Sequence, residues 1–166
     1  WLPWIFSGLP ATHSFQYISR FYFPHHLFII LKSIGLPWFW TFIFHYVFAG
    51  LGGYKLLRQL GTDRISALFG GSAFMLTPYM ITMIVHGHGS QMMTSAFIPW
   101  IILTLIKLLN NPPNLRNLGM FALLTGLQLQ RAHAQIVYYT WLMMGLLIVI
   151  YFIDAIKNRK EMKSFF

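Results

Sequence analysis

Two short polar runs interrupt an otherwise apolar chain: His86-Gly87-His88-Gly89-Ser90-Gln91 and Gln130-Arg131-Ala132-His133-Ala134-Gln135. Imidazole is the commonest nitrogen ligand of zinc, so His86 and His88, with His133 as a third group, have the residue types of a metal set. The chain contains no cysteine, and neither run supplies the carboxylate that usually orients a ligating histidine. Structural or substrate hydrogen bonding is therefore the expectation, with no resident cofactor and a divalent metal as the minor alternative. Arg131 can hold a phosphate through two parallel N–H bonds, either that of a lipid phosphate or pyrophosphate substrate or that of ordinary phospholipid headgroups at the interface. Gln91 and Gln135 can bond sugar hydroxyls or cap helix ends. The candidate binding set is His86, His88, Gln91, Arg131, His133 and Gln135.

The elements that must position these groups are membrane helices. Of 166 residues, 57% are hydrophobic and only 9% charged, too few charges for a water-facing surface. Apolar runs of about 20 residues match the roughly 30 Å of hydrocarbon that a helix must cross. The expected fold is all-α, a polytopic transmembrane helix bundle of about five spans, at 38–57, 65–85, 92–109, 115–134 and 136–156. Residues 1–37 are broken by Pro3, Pro10, Pro24 and Pro37 and read as an interfacial loop, with a short in-plane helix from Pro24 to Ile34. A basic tail occupies 157–166. The net charge of +9 comes from cations flanking apolar segments rather than from one patch, so it points to topology and not to nucleic acid. Trp1 in place of Met, with no signal-peptide pattern near it, reads as the start of an internal fragment.

Several features refine the spans. Pro78 is expected to kink the second, with Thr82 satisfying freed carbonyls. Ala49, Gly50, Gly52 and Gly53 form a small-residue surface for close helix approach. His45, near mid-membrane, is either functional or a neutral histidine bonded to a neighbour. The fourth span has an uninterrupted apolar run of only Leu118 to Leu129 and reaches spanning length by extending to Leu115 and Ala134.

Charge then assigns the sides. Nine of the twelve Lys and Arg residues fall on one side of a five-span topology, and that side is expected to be cytoplasmic. The other side carries Arg20, Lys32 and Arg131 and six of the seven histidines: His13, His25, His26, His86, His88 and His133. A polar site facing away from the cytoplasm is the reading. Asp63, Asp154 and Glu161, the only acids, lie on the opposite side. A carboxylate base, a paired-acid arrangement or a His-Asp relay cannot be built from outer residues of this stretch.

The runs WLPWIFSGLPA, GHGSQMMTSAFIPW and RAHAQIVYYTW resemble the YfhO-like family of bacterial multispanning membrane proteins, which are similar to GT-C glycosyltransferases. The resemblance implies transfer of a sugar from a polyprenol-phosphate donor to an extracytoplasmic glycan or polymer acceptor, at the outer face of the bacterial inner membrane. It places Trp1, Pro3, Phe6, Ser7, Gly8 and Pro10 in the first outer loop. His86, Gly87, Gln91, Pro99 and Trp100 belong to the second motif, and Arg131, His133, Gln135, Tyr138 and Tyr139 to the third. Leu2 departs from the family pattern, which has Asn there. The acidic base of such enzymes is implied upstream of Trp1, and the fragment alone is expected to be inactive. The competing expectations are a transporter or flippase for a lipid-linked substrate, using Pro78 and His45, and a noncatalytic membrane scaffold.

Overall fold

The computed structural model describes residues 22–111, 114–131 and 133–164, and the first-loop residues Trp1 to Pro10, with His13, lie outside them. The described residues form eight helices and no strand: α1 (Phe23–Ser33), α2 (Trp40–Gln59), α3 (Arg64–Met75), α4 (Pro78–Val85), α5 (Gly89–Ser95), α6 (Ile98–Asn110), α7 (Leu115–Gln130) and α8 (Ala134–Ser164). The fold is an all-α bundle. Three stretches are long and apolar enough to cross a membrane: Arg64–Val85, Gly89–Asn110 and Ala134–Lys157. α2, at 20 residues, has the length of a span, whereas the 16 residues of α7 reach only about 24 Å at 1.5 Å per residue.

Local chemistry explains the boundaries. α1 has Pro24 in its first turn and ends before Gly35, whose φ of 96° suits a residue without a side chain. Asp63 caps α3 by accepting from the backbone N–H groups of Ile65 and Ser66, and Asn114 caps α7 by accepting from Asn117 at 2.7 Å. The second rod is interrupted rather than simply kinked: α3 stops at Met75, and Thr77 leaves helical geometry to cap α4, whose first residue is Pro78. Pro78 has no N–H for the Phe74 carbonyl. Thr77 Oγ1 donates to that oxygen at 3.2 Å, whereas Thr82, expected for this duty, bonds the carbonyls of Pro78 and Tyr79 instead. A second break, not anticipated, falls at Ala96 and Phe97 just before Pro99.

Burial orders the rods. In Gly89–Asn110, 72% of the most apolar window is enclosed, against 11% in Arg64–Val85 and 17% in Ala134–Lys157, so α5–α6 is the central rod. The outer rods present large side chains outward, among them Leu68, Phe69, Leu146 and Phe152, an arrangement suited to lipid rather than water.

The small-residue surface of α2 serves packing. Gly50 and Gly53 face Gly71 and Met75 on α3, and Gly52 faces Trp100 on α6. Trp100 donates its indole N–H to the Phe48 carbonyl at 2.8 Å and stacks on the Phe48 ring, locking α6 to α2.

Candidate functional site

His45 lies in α2 with only 4% of its surface exposed, and both ring nitrogens are engaged. Nδ1 donates to the Thr41 carbonyl at 2.7 Å, one turn earlier on the same helix. A carbonyl can only accept, so in a neutral ring Nε2 is the acceptor and receives the hydrogen bond of the Tyr22 hydroxyl at 2.8 Å. Tyr22, just ahead of α1, is 2% exposed, and burial pushes its phenol well above the ordinary tyrosine range. Edge contacts with Phe97 hold both rings.

Arg131 completes this cluster. Its guanidinium carbon stands 4.8 Å from the centre of the Tyr22 ring, a cation–π contact, and its Nε is enclosed without a hydrogen-bond partner. Leu124 and Leu127 precede Arg131 on the same face of α7 and, with Tyr22, His45, Phe28 and Phe97, line an apolar cavity of about 320 Å³. An apolar chamber with a cation one side chain away from it suits an amphiphile that joins an aliphatic chain to an anion. His25 is half-buried nearby, and burial first, then Arg131 and His26, hold its imidazole below the usual histidine range.

The six expected residues do not share one pocket. Arg131 turns to Tyr22 as described. His88 and His133 come close enough for the charge of one to act on the other. His86 is exposed, and its Nδ1 bonds the Thr82 carbonyl of its own helix at 2.8 Å. Because α5 already begins at Gly89, the hinge is only three residues, 86–88, with Gly87 at a φ of 78°. Among the described residues no group of three or more His, Cys, Asp or Glu side chains is placed to hold a metal, so His86, His88 and His133 form no such set. Gln91 and Gln135 meet at a separate cavity of about 440 Å³ between α4, α5 and α8.

Tyr22, Tyr79 and Thr140 were not legible as site or network residues. Tyr22 sits in a stretch crowded with aromatics, and its partner is 23 positions away. Tyr79 bonds Gln91 across the hairpin, and Thr140 receives the buried Gln128, pairings that only the packing creates. The one usable signal was His45 itself, since a buried imidazole needs two partners.

Replacing Tyr22 with Phe leaves His45 Nε2 buried without a donor, an expected cost of about 1–3 kcal/mol in detergent unfolding monitored by circular dichroism. An unchanged unfolding midpoint would show that the bond contributes nothing.

Comparison with protein-family models, curated proteins and solved structures finds no match to this chain.

Proposed function

We propose that this chain is the donor-lipid half of a membrane glycosyltransferase resembling the GT-C enzymes, taking a sugar from a polyprenol phosphate at the extracytoplasmic face of a bacterial inner membrane and passing it to a glycan or polymer acceptor. The observation that carries the reading is Arg131: a cation over the ring of Tyr22, with an enclosed and unpartnered Nε, where Tyr22 itself lines an apolar cavity. The isoprenoid chain occupies the cavity and the phosphate meets the guanidinium. When the sugar–phosphate C–O bond breaks, negative charge grows on the departing phosphate, and Arg131 stabilises it more strongly than it does the bound donor. Deprotonation of the acceptor hydroxyl needs a carboxylate base from outside the two polar runs, because none of Asp63, Asp154 and Glu161 belongs to either.

Arg131→Gln in the full-length protein is expected to lower outer-surface glycosylation by about 100-fold, and Arg131→Lys to retain part of it as a point charge without the fork. Unchanged glycosylation by Arg131→Gln at normal expression would overturn the proposal. The interruption at Leu76 and Thr77 favours a second reading, a flippase for the same class of lipid. That reading expects lipid movement across the membrane to fail while sugar transfer, assayed on lipid supplied to the correct side, persists.

A further inference from the structure

The cavity between α4, α5 and α8 has a different chemistry from the Arg131 chamber. Its polar lining includes Tyr79, Gln91, Gln135 and Tyr139, and among the described residues no charged side chain lines it. The four groups form two matched pairs: Gln91 Nε2 donates to the Tyr79 hydroxyl at 2.5 Å, and Gln135 Nε2 donates to the Tyr139 hydroxyl at 2.9 Å. In each pair the tyrosine oxygen is the acceptor, so its own O–H remains able to donate, while the carboxamide oxygen remains able to accept. The other two hydroxyls are already committed, Thr77 to the Phe74 carbonyl and Ser95 to the Gln91 carbonyl.

A surface offering donor and acceptor side by side, twice, without charge, matches groups that both donate and accept. Alcohols do so. Phosphates and carboxylates only accept, and would find no cation in this lining. The tyrosine rings add apolar faces beside the polar groups, as the mixed surface of a pyranose requires. The volume of about 440 Å³ falls within the ordinary range for a small-ligand site.

We propose that this cavity is a second binding site, for a neutral polyhydroxylated ligand, distinct from the phosphate-and-lipid site at Arg131. Its identity as the seat of the sugar acceptor rests on the glycosyltransferase reading. Its affinity for hydroxyls does not.

The test is saturation-transfer NMR on the protein in nanodiscs, which avoids sugar-based detergents. The probes are the methyl glycosides of glucose, galactose and N-acetylglucosamine, and separately farnesyl phosphate. At least one glycoside is expected to receive saturation from the parent protein. Gln91→Leu and Gln135→Leu should each weaken that signal at least fivefold with farnesyl phosphate binding intact, and Arg131→Gln should do the reverse. Tyr79→Phe and Tyr139→Phe, which remove only a hydroxyl, should weaken glycoside binding in the same direction and decide the matter if a glutamine variant fails to fold. No saturation of any glycoside by the parent protein, or equal glycoside binding by all four variants, would overturn the proposal. Glycoside binding as expected, with no farnesyl phosphate binding, would leave this site standing and sink the donor-lipid reading.

Discussion

Alanine at Gly71 is expected to destabilise the bundle by about 3 kcal/mol, and valine there to break the native pairing of α2 and α3 altogether. A Cβ at Gly71 would lie 2.6 Å from the Gly50 carbonyl oxygen and 2.9 Å from the Tyr54 backbone nitrogen. Both obstacles are main chain on the facing helix, so no rotamer change can clear them. The two helices would have to move apart, which also loosens Gly53, whose Cβ position is 3.2 Å from Gly71 Cα. Close backbone approach is how membrane helices gain contact where no hydrophobic driving force separates side chain from lipid. Gly126 is the control, with nothing within 4 Å of its Cβ position, so Gly126→Ala should gain up to about 1 kcal/mol from helix propensity. Unfolding in mixed detergent, followed by circular dichroism, separates the two. Equal midpoints for Gly71→Ala and Gly126→Ala would show that α2 and α3 do not meet as described.

The second large effect is expected at Gln128. This side chain is fully buried and donates to Thr140 Oγ1 at 2.9 Å and to the Thr94 carbonyl at 3.3 Å, tying α7 to α8 and α5. Gln128→Ala removes both bonds and opens a cavity, at a cost of about 2–4 kcal/mol. Gln128→Leu removes the same bonds and keeps most of the volume. It also removes Oε1, an acceptor already buried without a partner, and single polar contacts between membrane helices average only about 0.6 kcal/mol. Leucine should therefore cost about 1 kcal/mol, well below alanine. If leucine proves as damaging as alanine, the hydrogen bonds outweigh the packing, and the order of the two terms is reversed.

Much of the architecture was readable from residue type because it rests on local rules. Pro24 and Gly35 bound α1 through backbone chemistry that involves only a few neighbours, whereas Pro78 was read as a kink where it opens a helix, and neither the break before Pro99 nor the Asp63 cap was read. The glycine surface at 50 to 53 was also readable as a packing face, although its partner Gly71 was not, because periodicity reveals a face and not what covers it. The site was legible only in part. Arg131 and the two glutamines were singled out for their chemistry, and each meets a cavity or its wall. His86, placed in the same candidate set, lines neither cavity: an imidazole at the end of a helix can bond the carbonyl four residues back, and its Nδ1 bonds that of Thr82. The division into two cavities was invisible, because it depends on Tyr22 and Tyr79, whose roles come from partners 23 and 12 positions away.

The bond sequence from Thr41 through His45 to Tyr22 has a direction. With the Tyr22 proton directed at His45, the phenol oxygen turns only lone pairs toward any visitor. On the proposed reading, the ionised phosphate of the donor, itself all lone pairs, is repelled by that oxygen and drawn to the guanidinium on the ring face beside it. A hydroxyl could approach the same oxygen as a donor. The buried carbonyl of Thr41 thus sets, through His45, which way the Tyr22 proton points.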